Sequence, residues 1–128
     1  MWCARLFLAA CVVLTCVGSS PADGTDVGSF LSRCSGLKQV LTGEKEADRE
    51  DQRNLSWCAN HVSAILENYR STLGKRNQVA EGVGICLPEG MTDAELLLIV
   101  LDELEVQDRS SMLAKVITDT LSVWWACK

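Results

Sequence analysis

The chain has 128 residues, 48% of them apolar, with 12 basic against 17 acidic side chains and a formal net charge of −5. Such an acidic balance repels phosphate backbones and anionic membrane faces, so it argues against nucleic acid as a partner and favours basic protein surfaces. The chain has seven cysteines and a single histidine.

Met1 to Arg5 is a short start with one positive charge, Leu6 to Val17 is an uncharged and largely apolar run, and Gly18, Ser19 and Ser20 close it with small residues. That order is the layout of a secretory signal peptide over residues 1–19, with cleavage after Ser19 or Ala22. The run falls short of the roughly 20 apolar residues that a spanning helix needs, so no stable membrane insertion is expected after cleavage. A short membrane anchor and a lipid-attachment box, Leu8, Ala9 and Ala10 before Cys11, are the competing readings of the same residues. The chain is expected to be exported, periplasmic in a bacterium and secreted elsewhere, with residues 20–128 forming a single helical domain.

Cleavage removes Cys3, Cys11, Cys16 and Arg5, leaving Cys34, Cys58, Cys86 and Cys127 and 11 basic against 17 acidic side chains, a net of −6. Four cysteines in an oxidising compartment read as two disulfides, because a core this small gains from crosslinks. Their separations of 24, 28 and 41 residues contain no Cys-x-x-Cys pair, which argues against structural zinc.

From Val27 to Leu41 the apolar residues Phe30, Cys34, Leu37 and Leu41 recur at spacings of four and three, which predicts one helix, weakened by Gly28 and Gly36. Thr42 to Arg53 is dense in charge and lacks large apolar side chains, as befits a solvated connector or a frayed extension of the flanking helices. Leu55, Cys58, Val62, Ile65, Leu66, Tyr69 and Leu73 then mark one face of a second helix, with Asn60, Glu67 and Arg70 on its polar side and Gly74 placed as a stop. Lys75 to Gly84 is expected to be an exposed loop.

Thr92 and Glu95 form a Thr-x-x-Glu capping box ahead of an apolar run, so a third helix should begin there. Leu96 to Leu101 is apolar on every side and must lie centrally in the core or bury its second face against another chain, for instance in a two-fold homodimer. After a turn at Gln107 to Ser110, the residues Leu113, Val116, Ile117, Leu121 and Trp124 share one face of a fourth helix. The fold class is thus all-α, a small helical bundle of about four main helices with two disulfides. A short turn makes the last two helices an antiparallel hairpin, which brings Cys86 beside Cys127. The same geometry across the first hairpin brings Cys34 beside Cys58, so these two pairings are favoured among three possible connectivities.

Catalytic signals are sparse. His61 stands beside an apolar helix face without a nucleophile or a second metal ligand, and reads as a partly buried helix residue rather than a general base. Glu103 and Glu105 point to different helix faces and cannot act as an acid–base pair. No phosphate-binding loop is present, and no cofactor is expected. Trp124 and Trp125 could form a ligand platform, but the commoner arrangement is one core and one rim residue. Asn54, Leu55 and Ser56 form a glycosylation sequon, relevant in a eukaryotic secretory pathway.

The run Cys86, Leu87, Pro88, Glu89, Gly90, Met91, Thr92, the apolar helix after it, the second amphipathic helix and the terminal Trp125, Ala126, Cys127 resemble the Rap/Tai immunity family of type VI secretion. Cys34 and the Trp57, Cys58 pair are similar to that family's first two cysteine positions. The resemblance spans nearly the whole chain after the signal, with Cys-Leu-Pro-x-Gly its specific part. Asn60 and His61 stand where the family tends to have Gly-Tyr, and Trp125, Ala126, Cys127 replaces its usual Phe-Pro-Cys ending. The resemblance implies an all-helical, non-enzymatic periplasmic protein that blocks the active-site cleft of a peptidoglycan amidase effector. The candidate contacts are Lys75, Arg76, Asn77, Gln78 and Glu81, in the loop between two fixed helices, where binding residues often sit. An acidic face around Asp102, Glu105 and Asp108 is the alternative. A different class of function, a periplasmic chaperone or carrier, would use the greasy third helix as its apolar surface.

Overall fold

A computed structural model describes residues 24–75 and 84–127; the segment read as a signal peptide lies outside these. The elements are α1 (Val27–Cys34), a 3-10 turn (Ser35–Leu37), α2 (Lys38–Leu41), α3 (Arg49–Lys75), α4 (Asp93–Leu104) and α5 (Leu113–Trp124). Among the described residues there is no strand. Two isolated bridges, Asp26 with Met112 and Ile85 with Ala126, are the extended pairings. The expected all-α bundle is what forms.

The single helix expected over Val27 to Leu41 is broken. Its first part starts at Asp26, whose carboxylate accepts the Ser29 amide at 2.6 Å, an N-cap contact that also lowers the Asp26 pKa. It ends in the 3-10 turn that contains Gly36, where the absence of a side chain weakens helix continuation. Phe30, Cys34 and Leu37 are nonetheless buried together, as the spacing required.

Of the two readings of Thr42 to Arg53, an extension of the following helix holds at its end, where Arg49 to Arg53 belong to α3, and the residues before it form the connector. Asp48 and Asp51 explain the early start. The Asp51 amide donates to the Asp48 carboxylate at 2.7 Å and the Asp48 amide donates to the Asp51 carboxylate at 3.2 Å, which satisfies two orphan amides of the first turn. At the other end α3 continues through Gly74 to Lys75 and does not stop at the glycine. A helical glycine costs only about 1 kcal/mol relative to alanine, and Leu73 beside it is half-buried near Gly84 and Ile85.

α4 begins where the capping box placed it. The Thr92 hydroxyl accepts the Glu95 amide at 3.2 Å and the Glu95 carboxylate accepts the Thr92 amide at 3.1 Å. Its apolar run is central: Leu96, Leu97, Val100 and Leu101 are buried, and Leu98 and Ile99 are half-buried. On α5, Leu113, Ile117 and Leu121 enter the core. Trp124 does not follow them; it is 49% exposed, because α5 ends there and the following Trp125 packs against the core instead.

Helix α3 is the shared support, in contact with α1, α4 and α5. The start of α1 is sewn to the α4–α5 turn by backbone bonds: Val27 donates to Ser111 at 2.9 Å, Gly28 to Arg109 at 2.9 Å and Leu113 to Thr25 at 3.0 Å. Gly28 is needed there, since a Cβ would lie 3.2 Å from both Cβ and the carbonyl oxygen of Arg109.

Both favoured disulfides are present, Cys34–Cys58 and Cys86–Cys127, with Cα separations of 6.1 and 5.0 Å. They close loops of 24 and 41 residues, and chain entropy assigns each roughly 3 to 4 kcal/mol. Cys127→Ser should therefore lower the free energy of unfolding by about 3 kcal/mol in urea melts. A loss below about 1 kcal/mol would mean that the crosslink restricts the unfolded chain far less than its length implies.

Candidate functional site

Of the expected contact residues, Lys75 is the last residue of α3, whereas Arg76, Asn77, Gln78 and Glu81 lie outside the described residues. What the structure describes is the chain on either side of them. Gly84 resumes with φ +103°, a left-handed backbone that glycine adopts without strain. Ile85 then bridges to Ala126, the Cys86 amide donates to the Trp125 carbonyl at 2.8 Å, and Cys86 is bonded to Cys127. Arg70, Leu73, Gly84, Ile85, Cys86, Leu87 and Cys127 line a cleft of about 500 Å³ at this corner.

The alternative acidic face is partly neutralised from across the bundle. Lys38 on α2 pairs with Asp102 at 2.5 Å and with Glu105 at 3.0 Å. Hydrogen bonds to those two carboxylates raise the lysine pKa. Glu103 faces elsewhere, its carboxylate accepting from Gln107 at 3.0 Å, so Glu103 and Glu105 are separated as expected. Asp108 accepts the Ser110 amide and hydroxyl at 2.9 and 2.8 Å and caps the turn.

Between α4 and α5 lies a narrow apolar groove of about 10 Å³, with Ile99, Val116, Thr120 and Trp124 among its lining residues. Val123 beside it is 78% exposed. Trp124 meets Trp125 edge to face at 5.9 Å between centroids, so the pair divides into one core and one rim residue and is not a flat platform.

His61 is more buried than expected, at 6% exposure, and its Nε2 has no hydrogen-bond partner. It stacks on Trp57 at 4.7 Å and lies 5.8 Å from Phe30. The Arg33 guanidinium stands 4.1 Å from the centre of the same Trp57 ring, and its Nε donates to Asn54 at 3.2 Å. The aromatic and cationic pairing of Arg33 with Trp57 had no signal in the periodicity, since the two are 24 positions apart on separate helices. Asn54, the sequon residue, is thereby engaged in the α1–α3 contact. Among the described residues no group of three or more His, Cys, Asp or Glu is placed to hold a metal ion.

No protein-family model, no curated protein and no solved structure matches the chain.

The buried imidazole makes stability depend on pH. Burial disfavours the charged form, so the folded-state pKa of His61 lies below the usual value. In the unfolded chain it titrates near its ordinary value of about 6.5. The neutral form's advantage is therefore fully present above pH ~6.5 and is lost as pH falls from there toward the folded pKa, by up to about 1.4 kcal/mol per pH unit. Because it is the only histidine, urea melts between pH 7 and 5 should report it directly, and His61→Phe should flatten the slope. An equal slope in the variant would assign the dependence to other groups.

Proposed function

We propose that the chain is an exported immunity-type inhibitor, which binds a cell-wall-degrading, amidase-like effector in the periplasm and occludes its active-site cleft without catalysing a reaction. The observation that carries this reading is the anchoring of the chain on both sides of the stretch 76–83. One side is the last turn of α3, and the other is held by the Cys86–Cys127 bond, the Cys86 to Trp125 hydrogen bond and the Ile85–Ala126 bridge. Fixed anchors lower the ordering cost of binding, so a short polar segment between them can contribute more of its contact energy to affinity. The Cys86-to-Thr92 run that resembles the Rap/Tai family leads from that anchor into the α4 cap, and it supports the same reading. Signal cleavage at residues 1–19 delivers the protein to the compartment in which two disulfides persist.

A homodimer belongs to this proposal as the way to cover the half-buried Ile99 and the exposed Val123 and Trp124. The second reading, a periplasmic carrier or chaperone, draws on the same groove. Dye binding and light scattering separate them. A carrier gives strong fluorescence with an apolar dye at working pH, and a dimeric inhibitor gives twice the monomer mass with little dye signal.

The inhibitor reading is tested with the protein and a purified peptidoglycan amidase effector encoded beside it. Calorimetry should show binding, and the protein should protect cells that express the effector in the periplasm. Arg76→Ala and Glu81→Ala should each weaken binding by about tenfold or more with melting temperature nearly unchanged, since the sequence places both in a polar loop and substitutions in such loops change folding little. Full affinity in both variants would move the interface to the face around Asp102, Glu105 and Asp108. No binding by the unmodified protein would remove the inhibitor reading.

A further inference from the structure

The two disulfides occupy opposite environments. Cys34 and Cys58 are both 0% exposed in the core, whereas Cys86 is exposed and Cys127 is half-buried. The second bond also lines an open cleft, in which Arg70 is the cation and Leu73, Ile85 and Leu87 supply apolar walls. Gly84 lies beside the bond, where a Cβ would make ordinary contacts, 3.4 Å from the Cys127 Sγ and 3.5 Å from Leu73. Thiol–disulfide exchange requires access for an attacking thiolate, and a nearby positive charge favours both that anion and the thiolate that leaves. Access, a cleft and a cation coincide at this bond and at neither sulfur of the other.

We propose that Cys86–Cys127 is a thiol-exchange site that takes an anionic low-molecular-weight thiol, with Arg70 as the group that draws it into the cleft. The thiolate attacks the Cys86 Sγ, the more exposed half. The bond between the two cysteines breaks as the new sulfur–sulfur bond to Cys86 forms. Cys127 leaves as a thiolate and takes a proton from water according to pH. One disulfide replaces another, so no external oxidant is needed. A second equivalent of the same thiol then releases Cys86 and carries away the oxidised pair. Opening frees the C-terminal end of α5 from Cys86, while the Cys86 to Trp125 hydrogen bond and the Ile85–Ala126 bridge still join the two segments.

The experiment treats the oxidised protein with glutathione, an anionic thiol, or with cysteamine, a cationic one, and quenches with N-ethylmaleimide before peptide mapping by mass spectrometry. Cys86–Cys127 should open at least about tenfold faster than Cys34–Cys58, the internal control, with the glutathione adduct on Cys86 and the maleimide on Cys127. Arg70→Gln should slow glutathione by about two- to threefold and leave cysteamine unslowed, a difference that salt should erase. Equal opening of both disulfides, or earlier opening of Cys34–Cys58, overturns the site. An adduct on Cys127 overturns the direction of attack, and an unchanged glutathione rate in Arg70→Gln overturns the role of the cation.

Discussion

Three of the described helices, α1, α4 and α5, pack against α3, and α2 rests on α4 and the 3-10 turn. At 27 residues α3 is about 40 Å long, and Cys58, Val62, Ile65 and Leu66 form a buried stripe along its middle. α1 is bonded to that stripe through Cys34–Cys58, while α4 and α5 pack on it without a covalent link. The length of α3 has a structural consequence. A helix that outruns its partners carries its ends beyond the core, and it is the C-terminal end, from Arg70 and Leu73 onward, that meets Gly84 to Leu87 at the corner with the exposed disulfide.

Burial around α3 is unequal. At the α1 side, Phe30, Trp57 and His61 form an aromatic cluster with the Arg33 guanidinium on its surface. An imidazole nitrogen left unpaired there costs about 1 to 3 kcal/mol, which the stacking on Trp57 offsets in part. The opposite side is apolar throughout: Leu97, Leu101, Leu104, Leu113 and Leu121 are essentially inaccessible.

The two crosslinks follow this division. The buried bond fixes the first hairpin inside the core, where neighbouring side chains already specify the packing. The outer bond acts just beyond the end of α5, where buried Ile85 and partly buried Trp125 close the core and Val123 and Trp124 are exposed. Helix ends fray, and the crosslink ties this one to the segment that leads into α4. Cys86 is exposed at that corner and Cys127 is half-buried, which is the access that the proposed exchange requires.

Short-range pattern was enough for the sequence to determine the helical class, the α4 cap at Thr92 and Glu95, the buried faces of α3 and α5, and the pairing of all four cysteines, because each depends on spacing along one helix or on neighbouring hairpins. It did not place the break at Ser35, the start of α3 at Arg49, or the passage of α3 through Gly74, since a few tenths of a kcal/mol from caps and distant contacts decide such boundaries. The approach of Gly28 to Arg109, the bridge from Lys38 to Asp102 and Glu105, and the pairing of Arg33 with Trp57 join residues whose separation carries no periodic signal. Tertiary packing alone decided that His61 is buried and that Trp124 turns outward, because the helix face each occupies is common to core and rim and only the neighbouring helices determine where the core ends.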